Sequence, residues 1–284
     1  MENSISEKVN TQDLKTVIDA DQREKLINWQ ELWRYRDLFY FLIWRDVKTR
    51  YAQSVLGIGW AIIQPLFSMV VFTVVFGNLA KVSSDGVPYA IFSYAALVPW
   101  TYFSSALTDS TNSLVNASSM ITKVYFPRLV LPIAPVFGKL IDFGIAMVIL
   151  AGFMLYFQIA PTIWALFLPY LILLMILSAA GIGMWLTAMA VQYRDIRYAM
   201  SLVVTLLMYA APVVYPASSV PEKWRLLYAV NPMVGVIEGF RASLLDTTAM
   251  PWDFIWMGTV SALVFFFSGL VYFRRMEKIF ADVV

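Results

Sequence analysis

The 284-residue chain contains no cysteine and no histidine. Without thiols there is no disulfide, thiolate nucleophile or cysteine metal site. Without imidazole there is no Ser–His nucleophile pair, no HExxH metal motif and no imidazole proton shuttle. Charge is scarce as well: 14% of residues are Asp, Glu, Lys or Arg, against about a quarter in soluble domains. No GxxxxGK[ST] motif occurs. The one Gly-Lys pair, Gly138-Lys139, lacks the upstream glycine and precedes Leu140, so nucleotide binding by a P-loop is excluded. No DDxxD-like acidic cluster is present to hold Mg²⁺ on a lipid diphosphate. No internal repeat or low-complexity tract is visible.

What abounds is apolar. Hydrophobic residues make up 60% of the chain, and the mean hydropathy is +0.68. The charges gather between long charge-free runs. These runs exceed ordinary core helices, so the expected fold is an all-α polytopic membrane protein. Residues 1–30 are polar, mixed in charge and lack an apolar h-region, and read as a cytosolic tail rather than a signal peptide.

The periodicity predicts an interface helix over 31–50. On a helical wheel Arg34, Asp37, Arg45 and Lys48 fall on one side, while Leu32, Phe39, Leu42 and Ile43 lie away from them; Arg36, Asp46 and Phe41 blur the separation. That pattern suits a helix lying in the headgroup plane, or a soluble helix packed on a partner. Six spans are expected within 51–284, at about 56–80, 88–111, 133–157, 163–191, 199–214 and 254–273. "YFQIAPT" divides the third from the fourth. The region 215–251 is broken by Pro and Asn-Pro, and its apolar pieces are too short to cross. Short helices that dip in and return fit it better.

Lys and Arg counts set the expected orientation. Lys8, Lys15, Arg23, Lys25, Arg34, Arg36, Arg45, Lys48 and Arg50 lie before the first span. Lys123, Arg128, Lys139, Arg194, Arg197, Arg274, Arg275 and Lys278 fall on the same side. Only Lys81, Lys223, Arg225 and Arg241 fall on the other. Both termini are therefore expected in the cytoplasm, with 215–251 facing outward.

Ionisable residues inside the spans are few. Asp109, Lys139 and Asp142 lie near cytoplasmic ends, and the spacing of Lys139 and Asp142 lets them pair. Such placement suits neutralised interface charges better than the midplane ion relay of a secondary transporter. The chain reads as a conduit whose energy comes from a partner. The segment 120–132, "MITKVYFPRLVLP", would be the handle for that partner. Pro127 removes a backbone donor and restricts Phe126, predicting a short helix, a bend and re-entry at Pro132. Tyr125 and Phe126 are large enough to fill a partner's pocket, and Lys123 and Arg128 keep the element out of hydrocarbon. An ordinary basic loop has the same composition.

Three stretches in order, "RDVKTRYAQSVLGIGWAIIQPL" (45–66), "ITKVYFPRLVLP" (121–132) and "PVVYPASSVPEKWRLLYAVNPMVGVIEGFR" (212–241), resemble the ABC-2 type permeases that export lipid-linked polysaccharides. The resemblance runs from about residue 30 onward. It implies a homodimer in the plasma (inner) membrane, served by two copies of a separate ABC ATPase that bind ATP and Mg. This chain would hold no cofactor, catalyse nothing and bind no nucleic acid. Residues 122–131 would be the coupling helix, 33–44 the interfacial helix and 220–245 the outward gate. The cargo would be a glycan on a polyprenyl diphosphate, O-antigen first. Teichoic acid, capsule polysaccharide or a smaller lipid or drug are alternatives within the class. An intramembrane enzyme on polyprenyl-linked sugars is the alternative outside it.

The residues suit that task in their own chemistry. Aromatic faces stack on pyranose rings, and the candidates are Trp60, Phe67, Phe72, Tyr94, Trp100, Tyr102, Phe103 and Tyr209. Aromatics at span ends also serve as interface anchors. Arg45, Lys48 and Arg50 stand where a diphosphate headgroup or anionic lipid would meet the first span. Tyr215, Asn231, Pro232, Glu238 and Arg241 are the expected gate residues, with Glu238 and Arg241 spaced to pair.

Overall fold

The computed structural model describes residues 29–52, 57, 59–277 and 280. Among them the regular elements are all helical. The N-terminal helix is two pieces, α1 (Trp29–Arg34) and α2 (Arg36–Ala52). Next come α3 (Gly59–Phe72), continued by a π-helical segment to Leu79, and α4 (Tyr89–Asn116). The short α5 (Ser118–Ile121) precedes α6 (Val130–Gly138) and α7 (Leu140–Tyr156). A 3-10 turn (Ile163–Phe167) leads into α8 (Leu168–Gln192), and α9 spans Asp195–Tyr209. After a further 3-10 turn follow α10 (Glu222–Ala229), α11 (Pro232–Leu245) and α12 (Trp252–Glu277).

Among the described residues four helical stretches are long and apolar enough to cross a membrane: Gly59–Leu79, Val130–Phe157, Ile163–Gln192 and Trp252–Glu277. Helix α4 is long enough, at 28 residues or about 42 Å, but it is rich in Ser, Thr and Tyr. It is the central pillar, packed against α3, α6, α7, α8 and α11. Most of its hydroxyls are bonded inside the protein: Thr111 donates to the Leu107 carbonyl at 2.7 Å and Ser110 to the Pro132 carbonyl at 2.8 Å. Helix α9, at 15 residues, rises about 22 Å, short of the roughly 30 Å hydrocarbon layer.

Several boundaries differ from the sequence expectation. The expected helix over 31–50 is broken at Tyr35. The span expected at 199–214 begins four residues earlier and stops at Tyr209, because Pro212 cannot continue a helix and restricts the residue before it. The chain does not wait for Pro132 to re-enter: α6 starts at Val130, since a first-turn N–H has no intrahelical partner and Pro132, which lacks one, loses nothing there. The break at "YFQIAPT" is where it was expected, and Thr162 fastens it by donating to the Ser243 carbonyl at 3.0 Å.

Close helix crossings rest on small residues, as in membrane bundles generally. Helices α8 and α12 make the most extensive pairing. A Cβ on Gly181 would come within 2.5 Å of the Phe266 nitrogen. Likewise a Cβ on Gly235 would meet the Phe254 carbonyl oxygen at 2.6 Å, so α11 lies against α12 backbone to backbone.

Candidate functional site: a charged wall, a buried ion pair and an exposed connector

The ends of α2, α4 and α6–α7 meet at a four-charge network. Arg50 Nη1 lies 2.7 Å from Asp142 Oδ2, and Arg50 Nη2 lies 3.4 Å from Asp109 Oδ2. Lys139 Nζ lies 2.9 Å from the same Asp109 oxygen and 3.9 Å from Asp142. Tyr51 donates its hydroxyl to Asp142 Oδ1. Burial, reinforced by the bond to Asp142, pushes the Tyr51 phenol up to about 12, so it remains a neutral donor. The two acids and two cations cancel.

This network stands between two cavities. One, of about 300 Å³, is lined by Trp60, Gln64 and Pro65 of α3, Thr101, Tyr102 and Ser105 of α4, and Lys139, Asp142 and Phe143. The other, of about 390 Å³, is lined by Arg45, Asp46 and Thr49 of α2, Asp109, Ser113 and Asn116 of α4, and Leu131, Ala134 and Pro135 of α6. Arg50 lines both. The wall between the cavities is therefore ionic.

Helix α2 is packed differently from the expectation. Leu42 is buried, and Phe39 meets Phe137 of α6 edge-on at 5.6 Å. The apolar arc thus faces the protein. The outer face carries Asp37, Tyr40, Phe41, Trp44, Arg45 and Lys48 together. Arg45 pairs with its neighbour Asp46 at 3.0 Å, Lys48 is exposed, and Arg50 is committed to the network. The side chain of Leu32 lies outside the described residues.

The connector between α4 and α6 is not the helix expected over 122–131: after α5, residues 122–129 are turns and irregular chain, as Pro127 withholds a backbone donor and restricts Phe126. It projects part of itself and buries the rest. Lys123 is exposed, and Tyr125 is 79% exposed. Phe126, expected to project beside it, is 4% exposed. It sits in a core with Leu42, Leu114, Leu129 and Phe273. This corrects the expectation: Phe126 anchors the connector to its own chain. Pro127 is buried behind it. Arg128 is turned inward, donating to the Glu277 carbonyl at 2.6 Å and tying the connector to the end of α12.

At the other end of α4, Arg241 is fully buried. It pairs with Glu238 at 2.9 Å, as the spacing predicted. It also donates to the carbonyls of Phe92 (3.3 Å), Pro212 (2.7 Å), Val213 (2.9 Å) and Tyr215 (3.4 Å). Its guanidinium lies 3.5 Å from the Phe92 ring centroid. Glu238 accepts the Ala217 N–H at 3.2 Å. The backbone after α9 has lost its helical partners, and this pair supplies them. Asn231 caps α11 by accepting the Met233 N–H at 3.1 Å, with Pro232 at the first position. The Tyr215 hydroxyl donates to the Tyr209 carbonyl at 3.0 Å and accepts from Tyr228 at 3.2 Å.

The eight aromatic candidates do not form one surface of the single chain. Tyr94, Trp100, Tyr102 and Phe103 are buried between helices, whereas Trp60, Phe67 and Tyr209 are exposed. Phe72 packs edge-on against Phe76 at 5.7 Å. Trp60 and Tyr102 share the cavity above the ionic wall. Trp100 and Phe103 line a separate apolar cavity of about 290 Å³ beside Asn231 and Pro232. Sequence reasoning missed Tyr51 and the link from Asp109 to Lys139. The signal available was that both charges interrupt otherwise uncharged runs.

Residues 37–245 match the ABC-2 type transporter family. The chain belongs to that family. It is a multi-pass membrane protein of the ABC-2 type. It is 25% identical over 249 residues to the O-antigen export system permease protein RfbA of Klebsiella pneumoniae, covering 87% of this chain and 95% of the relative. It is 28% identical over 215 residues to the protein of that name in Myxococcus xanthus, covering 75% and 82%. The polysialic acid transport protein KpsM of Escherichia coli is 23% identical over 245 residues, covering 84% and 92%.

Proposed function

We propose that this chain is the membrane subunit of an exporter that carries a polysaccharide, held on a polyprenyl diphosphate, outward across the plasma (inner) membrane. It works as a homodimer with two copies of a separate ATPase, which hold the ATP and Mg²⁺. O-antigen is the favoured cargo, because the relatives called O-antigen export permeases cover most of this chain. Six crossings complete the subunit: the four apolar stretches, α4 as a span shielded by its neighbours, and α9 together with the non-helical chain that continues it to Val214. Both termini and the connector then face the cytoplasm, and α10–α11 form the outward gate.

One observation carries the reading: the connector shows Lys123 and Tyr125 outward from a base locked by Phe126, Pro127 and Arg128. A motor can push such an element without deforming it, because the exposed tip and the packed base are adjacent in sequence. Large aromatic anchors of this kind are typical centres of binding energy. The outer face of α2 suits the headgroup layer, with Tyr and Trp beside Arg and Lys.

The test is reconstitution of the chain with its ATPase in inverted vesicles supplied with polyprenyl-linked glycan. Glycan should enter only with ATP and both subunits. Tyr125→Ala should abolish ATP-driven uptake while the subunit still inserts and folds. Uptake by the chain alone, or normal uptake by Tyr125→Ala, would refute the reading.

A further inference from the structure

Resting on that reading and deepening it, we infer that the cavity between α3, α4 and α7 is a binding site for the phosphate-linked end of a lipid-borne sugar, with Asp109 as the resident counterion that the ligand's phosphate displaces. The cavity, at about 300 Å³, is at the lower end of the range for small-ligand sites. It has room for one sugar-phosphate unit rather than a chain. Its walls divide by chemistry. Trp60 and Tyr102 present rings, the Tyr102 hydroxyl being committed to the Val136 carbonyl at 2.9 Å. Gln64, Thr101 and Ser105 supply polar groups between them, and Arg50, Lys139 and the carboxylate of Asp142 form the floor.

The floor is neutral as it stands, yet its charges are unequally held. The Asp109 side chain is 43% exposed, against 25% for Arg50 and 11% for Lys139. One Asp109 oxygen bridges both cations, which is the position a phosphate oxygen would take. Asp142 is held more firmly, by Arg50 and by the Tyr51 hydroxyl. When Asp109 swings into the water of the second cavity, the floor becomes net positive, with Arg50 and Lys139 facing Asp142 alone. A diphosphate carries more charge than a carboxylate and offers a guanidinium two parallel bonds. Asp109, Ser113 and Thr49 line the second cavity on the other side of the wall, and that cavity is the approach. The carboxylates thus keep the cations paired until the right anion arrives.

The absence of cysteine makes the test clean. Ser105→Cys places a single thiol in the cavity wall of the full chain, and its labelling rate by a maleimide reads occupancy. The probes are polyprenyl diphosphate, a polyprenyl diphosphate sugar, inorganic pyrophosphate and phosphatidylglycerol, each in detergent micelles. The two polyprenyl probes should protect the thiol, inorganic pyrophosphate should protect it weakly, and phosphatidylglycerol should not. Lys139→Gln should weaken protection about tenfold, the loss of one charge-assisted bond, and Lys139→Arg should restore it. Asp109→Asn should tighten protection by up to about fivefold, because a competing partly exposed ion pair is removed. A merely structural network predicts the opposite for Asp109→Asn. Failure of both polyprenyl probes to protect, equal protection by phosphatidylglycerol, or weaker protection in a monodisperse Asp109→Asn protein would overturn the proposal. Export in vesicles is measured in parallel. Normal export without protection removes this site alone, and protection without export keeps the site and removes the transport reading.

Discussion

Replacing Arg241 by Met should be among the most destabilising single changes in the protein. Its guanidinium is fully buried and meets Glu238, four backbone carbonyls and the face of Phe92. Removing one partner of a buried ion pair costs about 3–5 kcal/mol, because the other charge is left uncompensated. The orphaned carbonyls of Pro212 and Val213 add to this, though not additively. Most of the loss belongs to the stranded carboxylate, so a second change should recover part of it. Glu238→Leu combined with Arg241→Met should be more stable than Arg241→Met alone by about 1–2 kcal/mol. Arg241→Lys should fall between parent and Met, since an ammonium cannot reach Phe92, Pro212 and Val213 together as the planar fork does. Unfolding in SDS–detergent mixtures, followed by tryptophan fluorescence, measures all four proteins on one scale. A loss below about 1 kcal/mol for Arg241→Met, or a double variant worse than the single, would refute the argument that the buried pair holds the segment after α9.

Two further outcomes follow from packing. Phe126→Ala should cost about 3–5 kcal/mol of stability, read in the same unfolding assay, whereas Tyr125→Ala should leave stability within about 0.5 kcal/mol. Gly235→Ala should destabilise by more than 1 kcal/mol, because its Cβ would meet the Phe254 carbonyl oxygen at 2.6 Å; a stability equal to the parent's would show that α11 and α12 can separate freely.

The apolar runs were legible because each had to be long, uncharged and bounded by turn residues to serve as a crossing. Boundaries were less so, for reasons that can be named. Pro132 reads as a barrier in the sequence, yet it lies inside the first turn of α6, where its missing N–H goes unused. The reverse holds for Pro212, which ends α9 earlier than the hydropathy suggests. Helix α2 shows the limit of a helical wheel. The wheel separated Asp37, Arg45 and Lys48 from Phe39, Leu42 and Ile43, and the structure keeps that division. It could not say that the apolar arc would face α6; Phe41 and Trp44 fall among or beside the charges on the wheel itself, and the structure leaves them exposed there with Tyr40. Phe126 failed for the same reason: large aromatic residues serve equally well as anchors inward or outward, and only the packing of Leu114 and Phe273 decides.

The charged site was half legible. Lys139 and Asp142 are three apart, and that local pairing followed from helix geometry alone. Arg50 and Asp109 lie 92 and 33 residues from Asp142 in sequence, and no periodicity connects them. The general rule still narrows the choice: an ionisable residue in an apolar run must find a partner or remain costly. Asp109, Lys139 and Asp142 all fall near the same membrane face, and they sum to one unmatched negative charge. The missing cation had to come from the same face, where the sequence places most of its Lys and Arg, Arg45, Lys48 and Arg50 among them beside the first span. Charge balance thus demanded a cation from that face without naming it. The structure selects Arg50 because the last turn of α2 brings it to the level of α7, while Arg45 is already occupied by Asp46 and Lys48 faces outward.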